Sequence, residues 1–85
     1  MVYLLLIYDI THDGTRTKVA SACEDYGLDR VQYSAFSGQL SRTHQEELML
    51  RIRDLLGEKT GHVQLIPVAV DDWERRLEIE VGEDG

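Results

Sequence analysis

The chain has 85 residues, 42% of them hydrophobic, and a formal net charge of −7. It is too short for two independent cores and has no Pro-, Gly- or Ser-rich tract, so we expect one folded domain. The acidic balance counts against an ordinary nucleic-acid-binding protein, because phosphate contact normally comes with a basic face. Any contact with nucleic acid must therefore be local, or depend on a second subunit or a more basic partner.

The longest apolar run, residues 2–7, is far shorter than the roughly 20 residues that span a bilayer. It also lacks the basic flank and the small-residue cleavage site of a signal peptide. The single cysteine, Cys23, excludes an intrachain disulfide and a thiolate metal cluster. We expect a cytoplasmic protein.

The first half of the chain alternates between strand and helix signals. The near-continuous apolar stretch from Val2 to Tyr8 predicts a strand at the centre of its sheet, ending at Asp9. Cap-type residues at 11–14 and apolar residues at helical spacing predict a helix over about residues 14–26, stopped by Gly27. Residues 30–40 alternate in polarity and predict a hairpin with a tight turn near Ser34.

The second half repeats the pattern. Thr43 and Glu46 have the spacing of a capping box, and an apolar stripe leads to Gly57, which predicts a helix over about residues 43–57. Residues 62–70 predict a strand, and Pro67 within it indicates a sheet edge or a strand break. Residues 77–81 alternate and predict one more short strand with a single apolar face.

This order is β-α-β-β-α-β with an extra terminal strand, which is typical of the ferredoxin-like α+β fold with two helices on one face of an antiparallel sheet. We predict a single domain over residues 1–82 and a disordered tail over residues 83–85. The second face of the sheet is then open. An open, partly apolar sheet face is normally buried by another subunit, so the pattern predicts a homodimer.

The first half has Tyr8-Asp9-Ile10 at the end of the first strand, Arg16 at the start of the first helix, and Gly27 followed by Arg30-Val31-Gln32, Ser34 and Phe36. In this order and spacing, these motifs resemble the CRISPR-associated Cas2 family. The resemblance implies a ferredoxin-like homodimer in which the terminal strand of each chain joins the partner's sheet. It also implies a scaffold that holds a short double-stranded DNA for the Cas1 integrase during CRISPR spacer acquisition.

The resemblance further implies a metal-dependent endonuclease acting on RNA, including single-stranded RNA, or on DNA. The strand-end aspartate would then be both catalytic and metal-binding, which places that role on Asp9 with Mg²⁺ or Mn²⁺ as the ion. One aspartate per chain is a small ligand set, so the metal site would need the copy of Asp9 from each subunit of the dimer. The acidic residue that is frequent in the family after Phe36 is replaced by Ser37-Gly38. Alternatively, Asp9 accepts hydrogen bonds from the following turn and the start of the first helix.

Three residues are predicted to bind nucleic acid near Asp9, namely Arg16, Arg30 and Ser34. The arginines are suited to phosphate contact, but ion pairs with Glu24 or Asp25 are an equally good explanation. Ser34, with Gln32, would orient phosphate or water, although serine in a tight turn usually serves turn geometry.

The other candidates have structural interpretations. Tyr33 and Phe36 are read as packing residues, Cys23 as a core residue, and His44 and His62 as surface residues. Trp73 is expected to clamp the exchanged strand, while Arg75 and Arg76 are placed to contact a duplex or the integrase.

The leading functional hypothesis is a dimeric adaptation scaffold with little or no catalysis, and the second is the endonuclease. A toxin-like ribonuclease and a ligand-binding regulatory module of the same fold stay open, although no glycine-rich ligand loop is present.

Overall fold

The computed structural model describes residues 2–82. Seven elements follow one another: β1 (Val2–Ile10), α1 (Asp13–Asp25), β2 (Asp29–Gln32), β3 (Ala35–Leu40), α2 (Arg42–Leu56), β4 (Gly61–Val68) and α3 (Val70–Glu74). The first six confirm the predicted β-α-β-β-α-β order and the ferredoxin-like fold.

The four strands form one antiparallel sheet in the order β2-β3-β1-β4. β1 is central, as its continuous apolar sequence predicts. Leu5 of β1 lies between Ser37 of β3 and Ile66 of β4. β4 is an edge strand, which confirms the position inferred from Pro67, because proline has no N–H to donate to a further strand.

The alternation of side chains along β1 places every second residue in the core. Leu4, Leu6, Tyr8 and Ile10 face the two long helices and are buried. They pack against a set of fully buried side chains from the helices and β3, among them Val19, Cys23, Phe36, Leu48 and Ile52. Burying an aliphatic or aromatic side chain of this size stabilises the fold by about 1.5–3 kcal/mol. Cys23 is a core residue, as predicted.

α1 begins and ends with recognisable caps. The Nδ1 atom of His12 accepts a hydrogen bond from the backbone N–H of Thr15 at 3.1 Å, so His12 is the N-cap. The chain leaves the helix through Gly27, whose φ of 81° lies in the left-handed region that favours glycine. The prediction that Gly27 ends this helix is confirmed.

α2 begins one residue earlier than predicted. Its N-cap is Ser41, whose hydroxyl accepts a hydrogen bond from the N–H of His44 at 3.2 Å. The prediction that Thr43 caps this helix is wrong. β3 ends at Leu40, and Ser41 keeps an extended backbone just before the helix, where its hydroxyl can accept from the first turn. Within residues 2–82 no helix has the length and apolar character needed to cross a membrane.

The strand predicted over residues 62–70 is wrong at its end. β4 stops at Val68, and Val70–Glu74 forms the short helix α3, which the sequence analysis did not predict. Two acidic residues, Asp71 and Asp72, lie in its first turn, where they interact favourably with the free backbone N–H groups. Trp73 of α3 stacks on Tyr3 of β1, with ring centroids 4.5 Å apart, and so holds α3 against the open face of the sheet.

The predicted terminal strand is not formed within one chain. Residues 75–82 have no strand hydrogen bonds, and the side chains of Leu77, Ile79 and Val81 are 100%, 92% and 86% exposed. After α3 the segment passes Val31 and Gln32 of β2, where it lines an open depression without pairing. Its pairing with a second chain stays a prediction. The tail predicted at residues 83–85 lies outside the described residues.

Candidate functional site

Asp9 lies on the open face of the sheet, because it follows the core residue Tyr8 in a strand whose side chains alternate. Its side chain is exposed. In the antiparallel pairing of β1 with β4, Asp9 is directly opposite His62. A depression of about 120 Å³ is lined by Ile7, Tyr8, Asp9, His62 and Gln64. Asp9 is therefore accessible to a ligand from this face.

His62 is a candidate site residue that the sequence analysis missed. It is exposed, as expected, but it has neighbours that the sequence spacing does not show: Asp9 across the strand pair and the Gln64 amide, whose Nε2 lies 3.1 Å from His62 Nε2. The strand order explains why His62 lies next to Asp9. β4 runs antiparallel to β1, so the start of β4 meets the end of β1, where Asp9 stands.

The alternative role of Asp9, as a hydrogen-bond acceptor for the turn, is filled by other residues. His12 caps α1, and Arg16 Nη1 donates to the carbonyl oxygen of Ile10 at 3.1 Å. Asp13 forms an ion pair with Arg16. The turn after β1 is thus held by its own residues, and His12 and Asp13 are engaged there.

A divalent metal ion needs several oxygen or nitrogen ligands. Among residues 2–82, no three His, Cys, Asp or Glu side chains are grouped closely enough to hold a metal ion. Asp9 and His62 are two potential donors on neighbouring strands. Mg²⁺ is usually held by one or two carboxylates, with water molecules and substrate phosphates as its other ligands, so further ligands here would come from water, substrate or a second chain.

Arg16, on α1, lies on the helical side of β1, whereas Asp9 lies on the open face of the sheet. Together with Arg30, Arg16 lines a pocket of about 290 Å³ between α1 and the turn of the β2–β3 hairpin, next to the core side chain of Tyr8. The ion pairs predicted for Arg16 with Glu24 or Asp25 are wrong: Arg16 pairs with Asp13, one helical turn earlier, and Asp25 pairs with Arg51 at 2.9 Å.

Arg30 is held by the hairpin turn. Its Nη1 donates to the carbonyl oxygen of Tyr33 at 2.6 Å, and its guanidinium lies 4.9 Å from the ring centroid of Phe36. Phe36 is fully buried, as predicted, but Tyr33 is 65% exposed, so its interpretation as a packing residue does not hold within one chain. The pairing of β2 with β3 is irregular between Arg30 and Gln32, and this places Tyr33 in the turn instead of on a strand face.

Ser34 lies in the hairpin turn. Its carbonyl oxygen accepts a hydrogen bond from the N–H of Tyr8 at 3.1 Å, which ties the hairpin turn to β1. This backbone bond does not depend on the serine side chain. Its predicted contact with nucleic acid, like those of Arg16 and Arg30, stays a prediction.

Tyr8 is the second residue that sequence reasoning missed, because its place in an apolar run gives no sign of a polar role. Its side chain is 5% exposed, and its hydroxyl oxygen has no hydrogen-bond partner among residues 2–82. Burial raises the pKa of Tyr8, and the positive charge of Arg30 partly opposes this. The phenol therefore stays protonated at neutral pH. An unpaired buried hydroxyl costs about 1–3 kcal/mol.

The predicted site residues thus form two groups on opposite sides of β1. Asp9, with His62, faces the open side of the sheet. Arg16 and Arg30, with Tyr8, face the helical side. The structure does not bring Asp9 and the two arginines into one cluster.

Comparisons with known proteins agree with this fold. Residues 1–76 match the family model described as CRISPR associated protein Cas2. The chain is 49% identical, over 76 residues that make up 89% of each protein, to the CRISPR-associated endoribonuclease Cas2 2 of Chloroflexus aurantiacus. The crystal structure of Streptococcus pyogenes Cas2 at pH 6.5 superposes with a TM-score of 0.78 and 25% identity, covering 93% of this chain and 99% of that one.

A shorter match concerns a larger protein. Over 51 residues, which are 60% of this chain and 19% of the other, the chain is 41% identical to the CRISPR-associated endonuclease Cas1/endonuclease Cas2 fusion of Thermoproteus tenax. The family model covers most of the chain, and the fold and the most similar relatives agree with it. The chain therefore belongs to the Cas2 family of CRISPR-associated proteins.

Proposed function

We propose that this protein is a homodimeric scaffold that holds a short DNA duplex for the Cas1 integrase during CRISPR spacer acquisition in the cytoplasm. The observation that carries the proposal is the family membership, with 49% identity over 89% of the chain to a Cas2 relative. Only nine lysines and arginines accompany sixteen acidic residues. The scaffold therefore depends on a few local arginines and on basic surface from its partner to hold DNA.

The homodimer is supported by apolar surface that one chain leaves uncovered. Leu77, Ile79 and Val81 alternate with acidic residues and are almost fully exposed, and Ile66 on the open face of the sheet is 37% exposed. β4 is an edge strand with unpaired backbone groups. Adding the 77–81 segment of a second chain to a sheet would bury these side chains and pair that backbone.

The dimer is tested with the substitution Ile79→Glu, which places a charge in the middle of the proposed exchanged strand. We expect the wild-type chain to sediment as a dimer and Ile79→Glu as a monomer at micromolar concentration. Leu50→Glu is the matched control, because Leu50 is an apolar residue on α2 that is 59% exposed and outside the proposed interface. A monomeric wild-type chain at high concentration would refute the dimer.

The proposal of Cas1 as partner rests on the fusion protein of Thermoproteus tenax, in which endonuclease Cas1 and endonuclease Cas2 are joined in one chain. A fusion of two proteins in one organism supports contact between the separate proteins in another. The test is co-purification of this chain with a Cas1 protein from the same organism, with and without a DNA duplex. A failure to form a complex in either condition would remove the basis of the scaffold proposal.

A second candidate function is a metal-dependent endonuclease, favoured by the endoribonuclease name of the relative from Chloroflexus aurantiacus and by the exposed Asp9. The proposed ion is Mg²⁺ or Mn²⁺. Each chain offers one such aspartate, and in this proposal the two copies of Asp9 in a dimer share the ion. An ion bound there would polarise a phosphodiester and lower the pKa of an attacking water molecule.

The nuclease is tested with purified protein on RNA and DNA, with Mg²⁺, with Mn²⁺ and with EDTA. We expect cleavage that requires the metal and is lost in Asp9→Asn. Asp29→Asn, at the exposed start of edge strand β2, is the control that keeps activity. Cleavage that survives Asp9→Asn would assign the activity to another site or to a contaminant. That result would not bear on the proposed complex with Cas1.

A further inference from the structure

Tyr33 presents an aromatic ring to solvent at the turn of the β2–β3 hairpin. Of the tyrosine, tryptophan and phenylalanine residues among residues 2–82, Tyr33 alone is exposed, at 65%, and the others are buried or half-buried. Its ring is therefore not part of the core of one chain, and most of its surface is open to a ligand.

Two arginines hold Tyr33 in place. Arg30 Nη1 donates to the carbonyl oxygen of Tyr33 at 2.6 Å, which fixes the backbone of the turn. The guanidinium of Arg16 lies 5.5 Å from the centroid of the Tyr33 ring, within the range of a cation–π contact. Arg16 is itself held by its ion pair with Asp13 and by its hydrogen bond to the carbonyl oxygen of Ile10. Tyr33 is thus exposed but pre-organised, which lowers the entropic cost of binding a ligand.

The pocket beside this ring offers both donors and acceptors of hydrogen bonds. It has a volume of about 290 Å³, and its lining includes Tyr33 and Arg30 from the hairpin and Thr17, Ser21 and Glu24 from α1. Hydroxyl groups donate and accept, a guanidinium only donates, and a carboxylate only accepts. The carboxylate of Glu24 repels a phosphate group, but it suits an N–H group on the edge of a nucleobase. The lining therefore fits a nucleobase better than a phosphate.

We propose that Tyr33 and this pocket bind one unpaired nucleobase, which stacks on the tyrosine ring and turns its polar edge towards Glu24. This site rests on the proposed binding of nucleic acid and adds a contact with a base to it. Every base has a flat π face, so stacking on tyrosine is tolerant of sequence. Bases inside a duplex are already stacked on their neighbours, so the site selects a single-stranded stretch. Asp9 lies on the opposite side of β1, so the base held here is away from the place proposed for cleavage.

The test compares two labelled single strands of DNA of about 12 nucleotides, within the usual site size for such strands. One strand carries bases throughout, and the other is abasic but has the same phosphates. Affinity is measured by fluorescence anisotropy at low ionic strength. We expect the wild type to bind the strand with bases about tenfold more tightly, which is within the range for one stacked base. Equal affinity of the wild type for the two strands overturns the site.

Variants of Tyr33 assign the preference to the ring. Tyr33→Ala should lose most of the preference for the strand with bases, and Tyr33→Phe should keep it, because phenylalanine retains the π face. Leu50→Ala, which shortens an exposed apolar residue on α2 outside the pocket, should also keep it. A preference that persists in Tyr33→Ala overturns the site. So does a Tyr33→Ala variant that sediments as a monomer beside a dimeric wild type, since Tyr33 would then belong to the subunit interface.

A blunt DNA duplex, measured in parallel with Cas1 added, tests the scaffold proposal separately. Binding of the duplex without any preference between the single strands overturns the base site and leaves the scaffold standing. A preference for the strand with bases that depends on Tyr33, without binding of the duplex, supports the base site and refutes the scaffold. If neither the duplex nor a single strand is bound, both proposals fail.

Discussion

Asp9 at the end of β1 and His62 near the start of β4 lie opposite each other in the antiparallel pairing of the two strands. Both side chains are exposed on the open face of the sheet. Directly opposite residues on one face have Cβ atoms about 4.5–5.5 Å apart, which is within the reach of a shared ligand. His62 thus joins Asp9 as a potential ligand, and in a dimer the two pairs would double that set.

This pairing predicts that His62 contributes to the binding of a divalent ion. In the dimer, Mn²⁺ should broaden the amide resonances of Asp9 and His62 by paramagnetic relaxation. Asp9→Asn should abolish the effect, and His62→Asn should raise the required Mn²⁺ concentration about tenfold, the usual scale for loss of a supporting group. His44→Asn on α2 is the matched control. Broadening that is identical in wild type and His62→Asn would exclude His62 from the site.

The stacking of Tyr3 on Trp73 predicts how α3 is held. Trp73 is the single tryptophan of the chain, so its fluorescence reports on α3 alone. Tyr3→Ala should shift the emission to the red and lower the free energy of unfolding by at least about 1 kcal/mol, because the aromatic pair contributes about that much beyond the burial of the ring. Tyr3→Phe should preserve both. An unchanged emission maximum in Tyr3→Ala would mean that the stacked contact is not populated in solution.

The cap of α1 predicts a stability effect that is independent of function. His12→Ala removes the acceptor for the N–H of Thr15 and should lower the free energy of unfolding by about 1 kcal/mol. His12→Asn restores a good cap and should recover most of that loss. Urea denaturation at one fixed protein concentration measures both, because a dimer makes the stability depend on concentration. Equal stability of the alanine and asparagine variants would contradict the capping role.

The order of the six main elements was predictable because each has a periodic apolar pattern that local physics determines. Leu4 and Leu6 alternate with residues of the open face, and the stripe from Leu48 to Ile52 matches a helix. α3 was not predictable in this way. It has five residues and buries none of them fully, so its stability depends on the contact of Trp73 with Tyr3, and that contact exists only after the sheet has formed.

The candidate site shows the same limit. Asp9 was found from its place at the end of a strand, but His62 is 53 positions away along the chain, and only the pairing of β4 with β1 makes it a neighbour. Tyr8 is the next residue to Asp9, yet the pleat turns the two side chains to opposite faces. Whether a buried tyrosine hydroxyl has a partner depends on α1 and the hairpin turn, which sequence spacing does not describe.

The burial of Cys23 predicts a loss of stability at alkaline pH. Burial raises the pKa of its thiol from 9.0 to about 12. Between these values the unfolded chain loses the proton and the folded chain keeps it, so the free energy of unfolding falls as pH rises from 9.0 towards 12. The stabilising contribution is complete below pH 9.0. At about pH 10.5 the loss due to Cys23 amounts to about 2 kcal/mol.

Cys23→Ala isolates the contribution of this thiol, since alanine does not titrate while Tyr8 and the other ionisable groups remain in both proteins. At about pH 7.5 the variant should be less stable than the wild type by about 1 kcal/mol, because it loses part of a packed side chain. At about pH 10.5 the order should reverse, because the wild type alone has lost about 2 kcal/mol through the thiol. Urea denaturation at both pH values measures the difference. If the difference in the free energy of unfolding between the two proteins is the same at both pH values, the thiol ionises in the folded state as readily as in the unfolded one. That result would contradict the burial of Cys23 in the core.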